Sequence, residues 1–132
     1  MAARILGPLG LALTPSNLAD DSLDARVPIY RVVDPIELKY LQDFGNYGSS
    51  PSQSGKYFAL TPEGAAAFLS LVQNPSGSAI TTTTLPKNVL YQGNSFNDGP
   101  PPGAGPSVWF SQAQLPMVYG NMAPPVVGPI KP

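Results

Sequence analysis

Apolar positions recur in short blocks along the chain, and their spacing changes from block to block. Val27 to Val33 (VPIYRVV) is β-branched and aromatic, bounded by Arg26 and the Asp34-Pro35 step, and predicts a strand. The next block changes period. Asp34 stands as a cap, Pro35 as the first helical residue and Glu37 three residues past the cap. Ile36, Leu38, Tyr40 and Leu41 then supply an apolar helix face, and Gly45 predicts a stop near Phe44. Residues 45–55 (GNYGSSPSQSG) read as a loop. Lys56 to Leu60 (KYFAL) predicts a short strand, and Thr61-Pro62-Glu63 a second helix start. Ala65, Phe68, Leu69, Leu71 and Val72 carry that helix to Asn74-Pro75.

The second half is rich in strand formers. Ser78 to Leu85 (SAITTTTL) predicts a strand with Ile80, Thr82 and Thr84 on one side. Asn88 to Gln92 predicts another, followed by a breaker-rich loop over 93–106. Ser107 to Gln112 predicts a strand in which Trp109 and Phe110 alternate, so that one enters the core and the other lines a cleft. Val118-Tyr119 begins a further strand, and the tail PPVVGPIKP is extended. A late run of short strands without helices favours an α+β fold over α/β.

Residues 1–26 read as a connector from a longer parent protein, and residues 27–132 as one domain. The apolar stretch Ala2 to Leu13 holds Arg4, Gly7, Pro8 and Gly10 and is short of the roughly 20 residues that span a bilayer. No clear small-residue cleavage signal follows it. The 17 prolines and 13 glycines predict long irregular connections. Charged residues make up 11% of the chain and the net charge is −1, so no global positive field draws in nucleic acid. Six of the eight acids lie between Asp20 and Asp43.

The chain has no His and no Cys. This excludes Ser–His and Cys–His nucleophile pairs, disulfides and the usual zinc sites. Chemistry falls to Arg, Lys, Tyr, Ser, Thr, Gln, two Glu and six Asp. Three places stand out. Arg31 interrupts an apolar strand, where an inward guanidinium needs an anion such as a pyrophosphate or a nearby acid such as Asp34. KYFALT leads into a capped helix, placing N–H groups and a hydroxyl at a junction that can serve as a plain N-cap or hold an anion or ribose. Gln112 and Gln114 are two apart and share one side in extended chain.

The segments IYRVVDPIELKYLQDFG, GKYFALTPEGAAAF and SVWFSQAQLP, spanning residues 28–116, resemble the ADP-ribosyltransferase-like C-terminal domains of bacterial polymorphic toxins of the rearrangement-hotspot and contact-dependent type. The resemblance implies a pair of small antiparallel sheets with two flanking N-terminal helices. It implies NAD as substrate, without a metal. It gives NAD binding to Arg31 and Tyr30 on the first strand, and to Thr61 with the aromatic Tyr57 and Phe58 on the second segment. It gives the ribose-holding and catalytic motif to Gln112 and Gln114. Here the chain departs from the family pattern, which has Glu at position 114. A Gln can hydrogen-bond a ribose hydroxyl but brings no negative charge to a developing cation. Asp98 or another acid is then the alternative.

The resemblance further implies a monomeric effector, secreted and delivered into a target cell's cytoplasm, with no membrane partner. It implies a cognate immunity protein and a target macromolecule, either protein or structured RNA. Three other functions fit the residues. One is NAD hydrolysis. Another is a His-free ribonuclease in which Lys56, Tyr57 and Thr61 converge on a phosphate. The third is a non-catalytic interaction module built on the Pro-rich C-terminal third.

Overall fold

Eight consecutive residue pairs join β1 (Arg26–Val33) to β3 (Ala79–Pro86), from Arg26↔Pro86 to Val33↔Ala79, in antiparallel register. A computed structural model describes residues 22–49, 54–99 and 102–132 of the chain, so the first 21 residues of the expected connector lie outside it. β2 (Gly55–Ala59) pairs antiparallel along its length with β5 (Ser107–Ser111). The short β4 (Asn94–Phe96) adds to β5, and β6 (Val126–Ile130) adds to β3. The strand order is β4-β5-β2-β1-β3-β6, a single six-stranded antiparallel sheet in an α+β fold. Where a separate pair of sheets was expected, the two three-stranded halves are continuous. They meet at one registered pair, Tyr30↔Ala59.

Alternation sorts the sheet's two faces. Ile29, Val33, Phe58, Leu85, Val108 and Phe110 are buried together on one face and form the main core. Val32 and Ile80 face the other way, with Ala65 and Phe68 packed against them. Each face takes one of the early helices. α1 (Pro35–Phe44) brings Leu38 and Leu41 to the main core. α2 (Pro62–Leu69) brings Ala65 and Phe68 to the second cluster.

The caps are local and legible. Asp34 Oδ1 accepts the Glu37 N–H at 2.7 Å and Pro35 begins α1, while Gly45 ends it at φ +78°, donating its N–H to the Leu41 carbonyl. Only glycine adopts that backbone without strain. Thr61 Oγ1 accepts the Gly64 N–H at 3.0 Å and starts α2. α2 stops at Leu69, short of the expected Asn74, where side chains take the carbonyls of Phe68 and of the turns that follow it. Asn74 Nδ2 donates to the Phe68 carbonyl at 2.7 Å, and Lys131 Nζ donates to the carbonyls of Leu71 and Asn74 at 2.9 and 2.8 Å.

Two expected strands are helices. Residues 87–90 form α3 (Lys87–Leu90), because Pro86 closes β3 and the Lys87 and Asn88 N–H groups turn back to the carbonyls of Ala25 and Leu23. Val118-Tyr119 lies in α4 (Leu115–Asn121), where Pro116 sits in the first turn and Leu115 and Val118 are buried one turn apart. The strand expected through Gln112 ends at Ser111, and Gln112–Gln114 form a 3-10 turn. β4 lies inside the stretch read as loop; its three residues are all exposed, so no alternation marked it. The extended tail becomes β6, held by Lys131 N–H to the Ser78 carbonyl at 2.7 Å.

Candidate functional site

The sheet opens where β1 leaves β2. Beyond Tyr30↔Ala59 the two strands no longer pair, and Arg31 fills the gap. Its Nη1 donates to the Tyr57 carbonyl at 3.0 Å, replacing a ladder bond with a side-chain bond. Its Nε and Nη2 donate to the two carboxylate oxygens of Glu37 at 2.6 and 2.9 Å, a forked pair. The rings of Tyr47 and Phe58 lie 5.8 and 5.9 Å from the guanidinium carbon. The Asp34-Pro35 start explains the fork. It turns the chain immediately after β1, so the third residue of α1 comes back over Arg31.

Lys56 joins this cluster from β2. Its Nζ lies 3.5 Å from Glu37 Oε1, and its side chain is only 5% exposed, against 13% for Arg31 and 16% for Glu37. Burial lowers the Lys56 pKa, the neighbouring Arg31 lowers it further, and Glu37 opposes both. Two cations thus share one closely bound carboxylate, with Asp34 more distant. Burial also pushes the Tyr47 hydroxyl up to about 12, partly offset by its 2.7 Å hydrogen bond with Thr81 Oγ1. Tyr119, whose hydroxyl donates to the Gly48 carbonyl, is raised as well, chiefly by burial.

A cleft of about 870 Å³ opens beside the cluster. That size suits a dinucleotide-scale ligand. Its charged lining is Arg31, Asp34, Glu37 and Lys56, gathered at β1, α1 and the near edge of β2. Its aromatic lining is Tyr57, Trp109 and Phe96, on the adjacent strands β2, β5 and β4, with Tyr30 of β1 and Phe68 of α2 on the other half. α2 forms one wall with Gly64, Ala65 and Phe68. The loops over 45–55 and 93–106 contribute Ser54, Gly55 and Ala104, together with Asn94 and Phe96 of β4. Gly64 is required there by close approach, since a Cβ would stand 1.9 Å from the Ala104 carbonyl oxygen.

Of the residues singled out in the sequence, Tyr30, Arg31, Lys56 and Tyr57 line this cleft. Trp109 lines it too, while Phe110 is buried, as their alternation predicts. Phe58 points to the opposite face, packed edge-on against Tyr47 and Phe110. Thr61 serves as the helix cap, and the cleft lining does not include it. Gln114 is tied into the 3-10 turn. Its Oε1 accepts the Ser111 N–H at 2.9 Å and its Nε2 donates to the Gln92 carbonyl at 2.8 Å. Gln112 is half-buried in the same turn, its N–H bound to the Ser54 carbonyl, and neither Gln lines the cleft. Asp98 holds its own loop, accepting from the N–H groups of Gly103 and Gly105.

The acids of the cleft are therefore Asp34 and Glu37; the sequence offers Asp34 as a helix cap and as a candidate partner of Arg31, and Glu37 as a helix-starting residue alone. A signal was present. An isolated Arg in an apolar strand needs a carboxylate, and a cap-plus-Pro start folds the next acid back toward that strand. Phe96 and Asn94 carried no such signal. Compared with known proteins, the chain matches no family model, no curated protein and no solved structure.

Proposed function

We propose that this chain is an NAD-consuming toxin domain that binds the dinucleotide in the cleft between β1 and β2 and transfers ADP-ribose to a macromolecule of a target cell. The observation that carries the reading is the opening of the sheet at Arg31. It sets two cations, two carboxylates and an aromatic wall around one dinucleotide-sized space. The two three-stranded halves hinged at Tyr30↔Ala59 fit an ADP-ribosyltransferase-like arrangement, and the order of the three resembling segments supports it.

Cleavage of the nicotinamide–ribose bond suits these residues. Nicotinamide leaves as a neutral group, so no general acid is needed. The barrier is set by positioning and by the positive charge developing on the ribose. Glu37 occupies the Arg31 fork. When the pyrophosphate enters, its oxygens replace the carboxylate on Arg31 and Lys56, and Glu37 turns with Asp34 toward the ribose cation. This gives Glu37 and Asp34 the role that Gln114, clipped to Ser111 and Gln92, does not fill. Hydrolysis is the second reading. It is favoured by the position of Gln112 and Gln114 outside the cleft lining, since the pair that would position a macromolecular nucleophile does not line it.

The test is nicotinamide release from NAD in buffer and in bacterial lysate. Release that depends on lysate, with label from NAD on a macromolecule, supports transfer. Equal release in both, with free ADP-ribose, supports hydrolysis. RNA cleavage without NAD would overturn the reading in favour of a nuclease.

A further inference from the structure

The aromatic part of the cleft has a chemistry of its own. Tyr57, Trp109 and Phe96 stand side by side on three adjacent strands, with Tyr57↔Trp109 in register. Tyr57 is central, its ring 5.8 Å from that of Phe96 and 6.3 Å from that of Trp109. All three share the sheet face opposite the main core. α2 packs on the β1–β3 half of that face through Ala65 and Phe68. The rings on the other half stay open, with Tyr57 40% and Phe96 38% exposed. Phe96 adds nothing to the main core from its three-residue edge strand; its ring meets that of Tyr57.

We infer that Tyr57, Trp109 and Phe96 form the seat for the adenine base of the bound dinucleotide. The inference rests on the dinucleotide reading for the ligand's identity and on the geometry for its place. Strands are roughly 4.8 Å apart, so three of them make a floor about 10 Å across, wide enough for two fused rings. The floor carries no charged side chain; its polar neighbours in the lining are Asn94, Ser54 and Ser107. An amide such as that of Asn94 both donates and accepts, as the edge of a purine does. Arg31, Asp34 and Glu37 lie on the β1 and α1 side instead, and Lys56, which neighbours Tyr57 on β2, reaches toward Glu37 there, so that phosphates meet Arg31 and Lys56 away from the rings. The cationic nicotinamide belongs beside Asp34 and Glu37, which leaves the neutral base for the open, neutral floor. The rings of Phe96 and Trp109 tilt 56° and 49° from that of Tyr57, so the base stacks on one ring and meets the others at their edges. Such stacking is a source of affinity for any base, because every base has a π-face.

Trp109 is the single tryptophan of the chain, so its emission reports on the floor alone. The experiment titrates the whole chain with AMP and with nicotinamide mononucleotide, following Trp109 fluorescence. AMP should quench it saturably, and nicotinamide mononucleotide should not do so over the same range. Phe96→Ala, at an exposed edge position, should weaken AMP about tenfold and raise KM for NAD with kcat retained. Tyr57→Leu should do the same, with an unchanged melting profile for Phe96→Ala as the folding control. Absence of a saturable AMP signal, quenching by nicotinamide mononucleotide instead, or unaltered AMP binding in Phe96→Ala would overturn the assignment. AMP binding without any nicotinamide release from NAD would keep the adenine seat and refute NAD cleavage. NAD cleavage indifferent to Phe96→Ala would refute the seat and keep the cleavage reading.

Discussion

Two arginines on β1 differ in what surrounds them. Arg26 is exposed at the strand's start and donates to Thr84 Oγ1, to the Thr84 carbonyl and to the Asn121 carbonyl, at 2.8, 2.9 and 2.8 Å. Arg31 donates to both Glu37 oxygens and to the Tyr57 carbonyl. Arg26 decorates a join that already has an eight-pair ladder, whereas Arg31 stands where the ladder is missing. The first is dispensable trim. The second holds α1, β1 and β2 together and, by the same placement, puts charge at the only opening in the sheet's centre among the described residues. A gap in a sheet costs backbone hydrogen bonds, and it gives a ligand access to groups that a complete ladder would seal.

The contrast can be broken experimentally, and the largest effect belongs to Arg31. Arg31→Ala strands Glu37 and removes the clip to Tyr57, and should lower unfolding free energy by about 3 kcal/mol, read as a reduced urea midpoint. A loss under about 1 kcal/mol would put Arg31 in the same class as Arg26.

Alkaline pH is expected to act next. The Tyr47 hydroxyl rises from its ordinary value of 10.0 to about 12 in the folded protein. The folded state therefore keeps a proton that the unfolded chain releases, and stability should fall as pH rises from about 10 to 12, by on the order of 2 kcal/mol for Tyr47. Tyr119 shifts the same way and adds to the slope. Lys56 works in the opposite sense. Its folded pKa is lowered from 10.5, so its ammonium costs stability at lower pH, and that cost is relieved as pH climbs toward 10.5. Tyr47→Phe should flatten the decline above pH 10 in thermal melts; an unaltered slope would assign it elsewhere.

Gln114→Glu should cost about 1 kcal/mol, since Nε2 no longer donates to the Gln92 carbonyl, and should leave nicotinamide release no faster. A rate gain of tenfold would mean that position 114 reaches the ribose after all. The smallest effect is Arg26→Ala, expected within about 0.5 kcal/mol by the same urea measurement.

Much of the architecture was legible because local chemistry fixed it. Asp34-Pro35 and Thr61-Pro62 mark helix starts whatever the tertiary context, and VPIYRVV and SAITTTTL read as strands from composition alone. Short apolar pairs did not carry enough information. Val89-Leu90 and Val118-Tyr119 fit either period, and the neighbouring prolines at 86 and 116 decided for helix. Half of the site was legible by the same measure. Arg31 declared itself as a charge in an apolar strand, and Trp109 by alternation with Phe110. Glu37 emerges only when α1 folds back over β1 and β2, Lys56 stands in the sequence as a phosphate-binding candidate but not as a partner of Glu37, and Phe96 emerges only when an exposed three-residue strand finds the sheet edge. The Gln112/Gln114 spacing misled because a shared side requires extended chain, and the backbone turns at Gln112.

The most direct measurement is nicotinamide release from NAD by the whole chain beside the Asp34→Asn/Glu37→Gln double variant, with folding of both checked by thermal melting. The account predicts release by the parent chain, a loss of at least about 100-fold in the double variant, and an essentially unchanged rate in Gln114→Ala. No release by the parent in buffer or lysate, or equal rates in parent and double variant, would contradict it.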